Sequence, residues 1–158
     1  MRKAWNIPIQ TVYSLLTYDA SGNANMNICT YVTGVSMQPK RFVIAVYKNT
    51  KTLDNLSFNQ TVVLQVLNEV HAPLVKLLGK QSGKKIDKMS RLRKRDCLQT
   101  IDECELLKCV NAYLRLAVVD SFDVGDHILY TFDLVKSRSF SEANILTNQY
   151  LMEHGHIL

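Results

Sequence analysis

Glycine is scarce in this chain, with six in 158 residues and no cluster among them. There is no G-x-G-x-x-G turn and no Walker loop, so a dinucleotide-binding Rossmann unit is excluded. Neither a G-x-S-x-G nucleophile elbow nor an H-E-x-x-H helix is present, so the common hydrolase constellations are absent too. The four cysteines (29, 97, 104 and 109) form no C-x-x-C pair, and the four histidines (71, 127, 154 and 156) do not complete a zinc spacing. Two disulfides are the arithmetic alternative, but the expectation is reduced thiols. No apolar run approaches the roughly 18 residues of a transmembrane helix. The N-terminus, Met-Arg-Lys-Ala-Trp-Asn-Ile-Pro, has the basic start of an export signal without its apolar core. A cytoplasmic protein without membrane partners is expected.

What is present is ordinary for a globular protein: 47% hydrophobic and 21% charged residues. The length suits one domain spanning residues 1–158, large enough to hold a core without staples. The net charge of +5 is unevenly spread. Residues 76–95 carry nine basic side chains against one acid, Asp87, a local +8 that leaves −3 for the rest. Such a block attracts nucleic acid, an acidic membrane or a phosphorylated small molecule, or is simply a solvated, mobile loop. No aromatic residue interrupts it, which removes the stacking platform single-stranded nucleic acid needs. No nucleic-acid partner is expected.

The patterning is mainly that of strands. Residues 9–18 are rich in β-branched and aromatic types. Asp19 to Asn23 is a turn, and 24–36 reads as one strand with unusually many small polar side chains. Pro39 ends it, because proline donates nothing to a ladder. Residues 41–48 form a strand whose apolar run Phe42–Val46 suggests burial on both faces. Thr50 or Thr52 caps a short helix edged by Leu53 and Leu56. A strand at 61–67 follows, then a helix over 72–78 entered at Pro73 and stopped by Gly79. Residues 79–95 read as a long loop with short helical turns. Strands at 104–110, 112–119 and 127–138 follow, the last two joined near Gly125. A tail over 145–158 holds a short helix near Asn148–Glu153. This spacing predicts a mainly β fold, a small antiparallel barrel of six or so strands with a few short helices. Asp102, Glu103 and Glu105 read as a solvated strand edge.

One chemical signal stands apart. The polar strand 24–36 is followed by Lys48-Asn-Thr-Lys-Thr52. Amides and hydroxyls at a capped helix start suit a phosphate, and Lys48 and Lys51 add charge-assisted bonds. Thr-rich helix caps are also common without any ligand.

The run Asn23–Lys40, with Val46–Asn55 after it, resembles the flavin reductase-like family of FMN-binding split barrels. The resemblance rests on Gly22, Asn25, Ser36, Pro39 and Thr52 together. Gly79-Lys-Gln-Ser-Gly-Lys-Lys-Ile-Asp-Lys-Met89 and the Tyr150-Leu151 tail resemble further family segments. Lys40 stands where many members carry a second proline, and Met89 where many carry phenylalanine.

The resemblance implies a homodimer of six-stranded antiparallel split barrels of Greek-key type, with FMN at the subunit seam. It implies that Asn27, Ile28, Cys29 and Thr30 contact the flavin, with Cys29 beside the reacting face. It also implies that Lys48, Asn49, Thr50 and Thr52 reach the phosphate, and that Lys88 meets the phosphate or NAD(P)H. The implied function is hydride transfer from NAD(P)H to flavin, with a downstream monooxygenase or electron-transfer protein as acceptor. The alternative is a flavoredoxin-like FMN carrier reduced by a protein partner. Neither needs a catalytic triad, since the cofactor carries the chemistry. The bland readings are a small buried filler for Cys29, an ordinary strand residue for Thr30 and a solvated side chain for Lys88.

Overall fold

A computed structural model describes residues 1–157. Among these residues nine strands form rather than six. In chain order they are β1 (Tyr13–Tyr18), β2 (Ala24–Cys29), β3 (Val32–Met37), β4 (Lys40–Tyr47), β5 (Thr61–Val66), β6 (Leu98–Ile101), β7 (Cys104–Leu107), β8 (Ala112–Asp123) and β9 (His127–Ser139). The helices are α1 (Lys51–Leu56), α2 (Val75–Lys80), α3 (Lys88–Lys94) and α4 (Asn148–Glu153). Seven strands make one sheet in the order β2-β1-β5-β8-β9-β4-β3, and β6-β7 is a separate hairpin. The named pairs are antiparallel.

The residues expected as one strand over 24–36 divide at Thr30-Tyr31 into β2 and β3. These are the two opposite edges of the sheet, yet only two residues join them. A two-residue link spans a few ångströms. The sheet must therefore curl until its edges meet at that corner, where Ala45 N–H donates to the Tyr31 carbonyl at 3.0 Å. The hydrogen-bond ladder does not run on from β2 to β3, so the barrel is not closed. Nothing local marks the break, because Ile28 to Val32 lacks Gly and Pro and is β-compatible on both sides.

Successive strand residues point to opposite faces, and two cores result. Leu15, Val62, Leu64, Ile44, Val46, Leu116 and Phe132 fill one. Leu16, Met26 and Val63 turn the other way, toward Leu78, Met89, Leu92, Leu106 and Leu151. The strands buried on both faces are thus β1 and β5. In β4, expected to be so, Ile44 and Val46 are buried while Val43 and Ala45 are only half-buried. The layer of α2, α3 and β6-β7 packs on the other side of β1 and β5, not on β4.

Two further expectations change. The helix over 72–78 begins as a 3-10 turn, Glu69–Leu74, and α2 runs through Gly79 to Lys80. The supposed loop 79–95 contains α3, whose cap is Asp87, accepting from Ser90 N–H at 2.8 Å. The hairpin at Gly125 has the positive φ of 121° that favours glycine, and β8 extends to Asp123. The tail helix falls at Asn148–Glu153, capped by Thr147, and Leu158 lies outside the described residues.

Candidate functional site

At the edge of the sheet, β2 pairs only with β1, in the register Leu15↔Asn27. Beside it the chain leaves β4, turns through Asn49 at a φ of 61°, and enters α1. Thr50 shapes that entry: its hydroxyl donates to the Tyr47 carbonyl at 2.8 Å and accepts from Leu53 N–H at 3.2 Å. The end of α2 and residues 81–83 close a third side. The result is a cavity of about 360 Å³. Its wall includes Asn25, Asn27, Ile28, Tyr47, Asn49, Thr50, Lys51, Thr52, Ser82, Gly83 and Lys88.

Six of the nine residues singled out from the sequence meet here: Asn27, Ile28, Asn49, Thr50, Thr52 and Lys88. Three lie elsewhere. Lys48 is tied to the β8-β9 hairpin through Asp123 at 2.7 and 2.8 Å. Thr30 lines a separate cavity of about 470 Å³ with Gln10, Tyr13 and Val43. Cys29 packs against the core inside the curled sheet, and burial pushes its thiol up to about 12. It stays protonated at neutral pH.

The wall is polar and its polar groups are short of partners. Asn27 Oδ1 is buried and has no hydrogen bond. Thr52 and Asn25 are 1% and 6% exposed. Lys88 is buried, contrary to the solvated reading, at 4% exposed. Its Nζ donates to the Leu78 carbonyl at 2.6 Å, near the free C-terminal end of α2. Burial lowers its pKa to about 8. An ammonium has three donors, and this bond uses one.

The basic segment is a folded part of this wall rather than an open loop. Lys84 donates to Asn49 Oδ1 at 3.1 Å and pairs with Asp54 at 3.3 Å. Arg91 donates to Gln81 Oε1 at 3.1 Å, and Arg93 to Glu105 at 2.9 Å. Gly83 touches the strand edge so closely that a Cβ there would collide with Asn25 Oδ1 and come within 3.1 Å of Lys51 Cβ. Gln81, Ser82, Gly83 and Lys51 were not among the nine. The signal for Gly83 was a glycine inside a basic, polar run.

The lining contains no carboxylate, thiol or imidazole. Outside it, His127 lies between Tyr31 and Tyr47, each with ring centroids 5.2 Å away, and its Nδ1 is 2.6 Å from Asp126 Oδ1. Asp102 and Glu105, read as solvated, are engaged: Asp102 accepts from the Tyr113 hydroxyl and from Lys136 at 3.0 Å. Among the described residues no group of His, Cys, Asp and Glu could hold a metal ion. No helix among them is long and apolar enough to cross a membrane.

The same fold is found in known proteins. The sequence matches the flavin reductase like domain over residues 8–152, and the chain belongs to that family. No curated protein matches it. Among solved structures, one is a Sinorhizobium meliloti 1021 protein provisionally assigned as an oxidoreductase. It superposes with a TM-score of 0.78 at 17% identity, over 91% of this chain and 48% of that one. An NADH:FAD oxidoreductase of Streptomyces globisporus C-1027 has a TM-score of 0.78 at 15% identity, over 92% and 85%. Flavoredoxin of Methanosarcina acetivorans has 0.75 at 17%, over 90% and 76%. The chain spans about half the length of the first of these. At such identities the likeness is one of fold.

Proposed function

We propose that this chain is a flavin reductase that binds FMN in the 360 Å³ cavity and takes hydride for it from NADH or NADPH. The observation that carries the reading is Asn27 Oδ1, a buried acceptor without a partner on the wall of that cavity. Leaving such a group unpaired costs about 1–3 kcal/mol, and an N–H on a flavin ring would satisfy it. Ile28 offers the ring an apolar contact. Thr52 offers the phosphate a hydroxyl donor, Asn49 an amide and Lys51 an ammonium, while Thr50 holds the turn that carries them. Lys88 presents its remaining N–H groups to an anion from within the wall. A bound flavin would supply the hydride chemistry, which suits a lining free of acids and nucleophiles. What the chain does is hold the ring, compensate negative charge and exclude water.

The seam of a homodimer completes the site in this reading. Val43, Ala45 and Leu129 border the open cavity near Thr30, and Val35 and Met37 on the β3 edge are 54% and 81% exposed. A second copy would cover them. The product is passed to a monooxygenase or another electron-transfer protein in the cytoplasm.

The test is direct. The purified protein, mixed with FMN and desalted, is expected to be yellow and to bleach anaerobically with NADH or NADPH. A yellow protein inert to both nucleotides would remove the reductase step and leave FMN binding. That outcome favours the second reading, a flavoredoxin-like carrier reduced by a protein, which the absence of any acid or imidazole from the lining equally supports. A protein that stays colourless with excess FMN removes both.

A further inference from the structure

The candidate cavity absorbs only part of the basic segment. Lys84 and Arg93 are paired with Asp54 and Glu105, and Lys88 is buried in the wall. Lys76, Lys80, Lys85, Lys94 and Arg95 are exposed and make no ion pair among the described residues. The acids nearest them in sequence are otherwise engaged: Asp87 caps α3 by accepting from Ser90 N–H, and Asp96 pairs with Lys108 at 2.7 Å.

The fold gathers these charges. In α2, Lys76 and Lys80 are one helical turn apart and share a face. In α3 and its cap, Arg91, Lys94 and Arg95 share a face by the same spacing. Arg91 donates to Gln81 Oε1 at 3.1 Å, so the end of α2 meets the exposed side of α3. Behind them, Val75, Leu77, Leu78, Met89 and Leu92 are packed in the core. The cations therefore stand on a firm surface rather than a loose loop. Lys80, Gln81, Ser82 and Gly83 also line the 360 Å³ cavity, so the charged surface begins at the cavity rim.

The chemistry of this surface selects its partner. No aromatic residue lies between 76 and 95, so nucleic-acid bases have nothing to stack on. No large hydrophobic side chain of the segment is exposed, so nothing anchors it in a lipid surface. Cations spread over two helices match carboxylates spread over a folded protein, which long-range attraction steers into place.

We propose, resting on the flavin reading above, that the basic face of α2 and α3 docks an acidic electron-transfer protein at the rim of the flavin cavity. Two one-electron partners in succession take the two electrons of one hydride, and its proton goes to water. The contact is polar and screened by salt, so each partner leaves once reduced.

The experiment uses the full chain with FMN and two probes: cytochrome b5, an acidic one-electron haem protein, and cytochrome c, a basic one. Binding is measured by calorimetry at low and at physiological salt, and NADPH-driven haem reduction by absorbance. The test variant is Lys94→Glu/Arg95→Glu, at exposed residues that do not line the cavity. The control is Arg2→Glu/Lys3→Glu, which changes the net charge equally at exposed residues before the first strand. Circular dichroism checks the folding of both. Cytochrome b5 is expected to bind the parent, more weakly as salt rises. Lys94→Glu/Arg95→Glu should weaken that binding about tenfold and slow haem reduction to match, with the bleaching of bound FMN unchanged. The control should lose less than about threefold. Equal losses in the two variants overturn the docking face. So does cytochrome c binding as tightly as cytochrome b5, or phosphatidylserine vesicles or a single-stranded oligonucleotide binding where cytochrome b5 does not. Each of these outcomes leaves FMN binding standing. A parent that takes up no FMN overturns the flavin reading and the electron transfer with it, even where cytochrome b5 docks.

Discussion

Two clusters of polar side chains built around asparagines have opposite surroundings. Beneath the 3-10 turn, Asn68 Nδ2 donates to the Cys109 carbonyl at 2.7 Å and to Asn111 Oδ1 at 2.8 Å, while its Oδ1 accepts from Val70 N–H. Asn111 Nδ2 donates to the Ala143 carbonyl at 2.6 Å. His71 completes the knot, with Nε2 2.9 Å from the Lys108 carbonyl and Nδ1 accepting from Asn68 N–H at 3.2 Å. The β2 edge has Asn25, Thr52 and Lys88 just as deeply set and Asn27 half-buried beside them, but the buried Asn27 Oδ1 has no partner and Lys88 has one. Burial of polar groups alone does not mark a site. A satisfied network specifies the fold, and an unsatisfied one bordering a cavity anticipates a ligand.

Substitutions on the two sides should separate. The largest effect belongs to the satisfied knot. Asn68→Ala strands Asn111 Oδ1, the Cys109 carbonyl and Val70 N–H, and is expected to lower stability by about 3 kcal/mol in urea unfolding. FMN affinity of the folded fraction should not change. Gly83→Ala comes next: the new Cβ drives Asn25 or Lys51 away from the wall, and FMN affinity measured by fluorescence quenching should fall more than about tenfold. Asn27→Ala removes the orphaned acceptor, so stability should move by less than about 1 kcal/mol. FMN binding should weaken about tenfold. Equal stability losses for Asn27→Ala and Asn68→Ala would erase the distinction between the two regions.

The smallest effect is one of pH. Burial lowers Lys88 from 10.5 to about 8. Below pH 8 the amine is charged in both folded and unfolded chains, and the fold bears the full cost of the buried charge. Between pH 8 and 10.5 the unfolded chain binds more protons, so this residue makes stability rise with pH across that window. Lys88→Met should flatten that rise in paired unfolding curves of the cofactor-free protein. A bound anion reverses the preference and favours the ammonium. FMN affinity should therefore decline above pH 8 in the parent and not in Lys88→Met.

Much of the fold was legible along the chain. The strands at 13–18, 40–47, 61–66 and 127–139, the Thr50 cap and the tail helix at Asn148–Glu153 all carry local signals of period, turn or cap. Three features did not. The division of 24–36 into two edge strands has no local mark, because the chain changes edges without changing backbone type. The β6 strand sits behind Asp96-Cys97 and pairs only within its own hairpin. The α3 helix was hidden by charge, since Lys88, Arg91, Arg93 and Lys94 obscure the two apolar anchors Met89 and Leu92.

Within the candidate site, composition and spacing along the chain were enough to single out the polar strand, the Thr-Lys-Thr turn and the basic segment. Each is a matter of which groups occur within a few bonds of one another. Their convergence on one cavity, the exit of Lys48, Cys29 and Thr30 from it, and the burial of Lys88 depended on how the sheet curls. Those outcomes turn on distances between residues tens of positions apart, set by packing of the two cores, and no local preference encodes them.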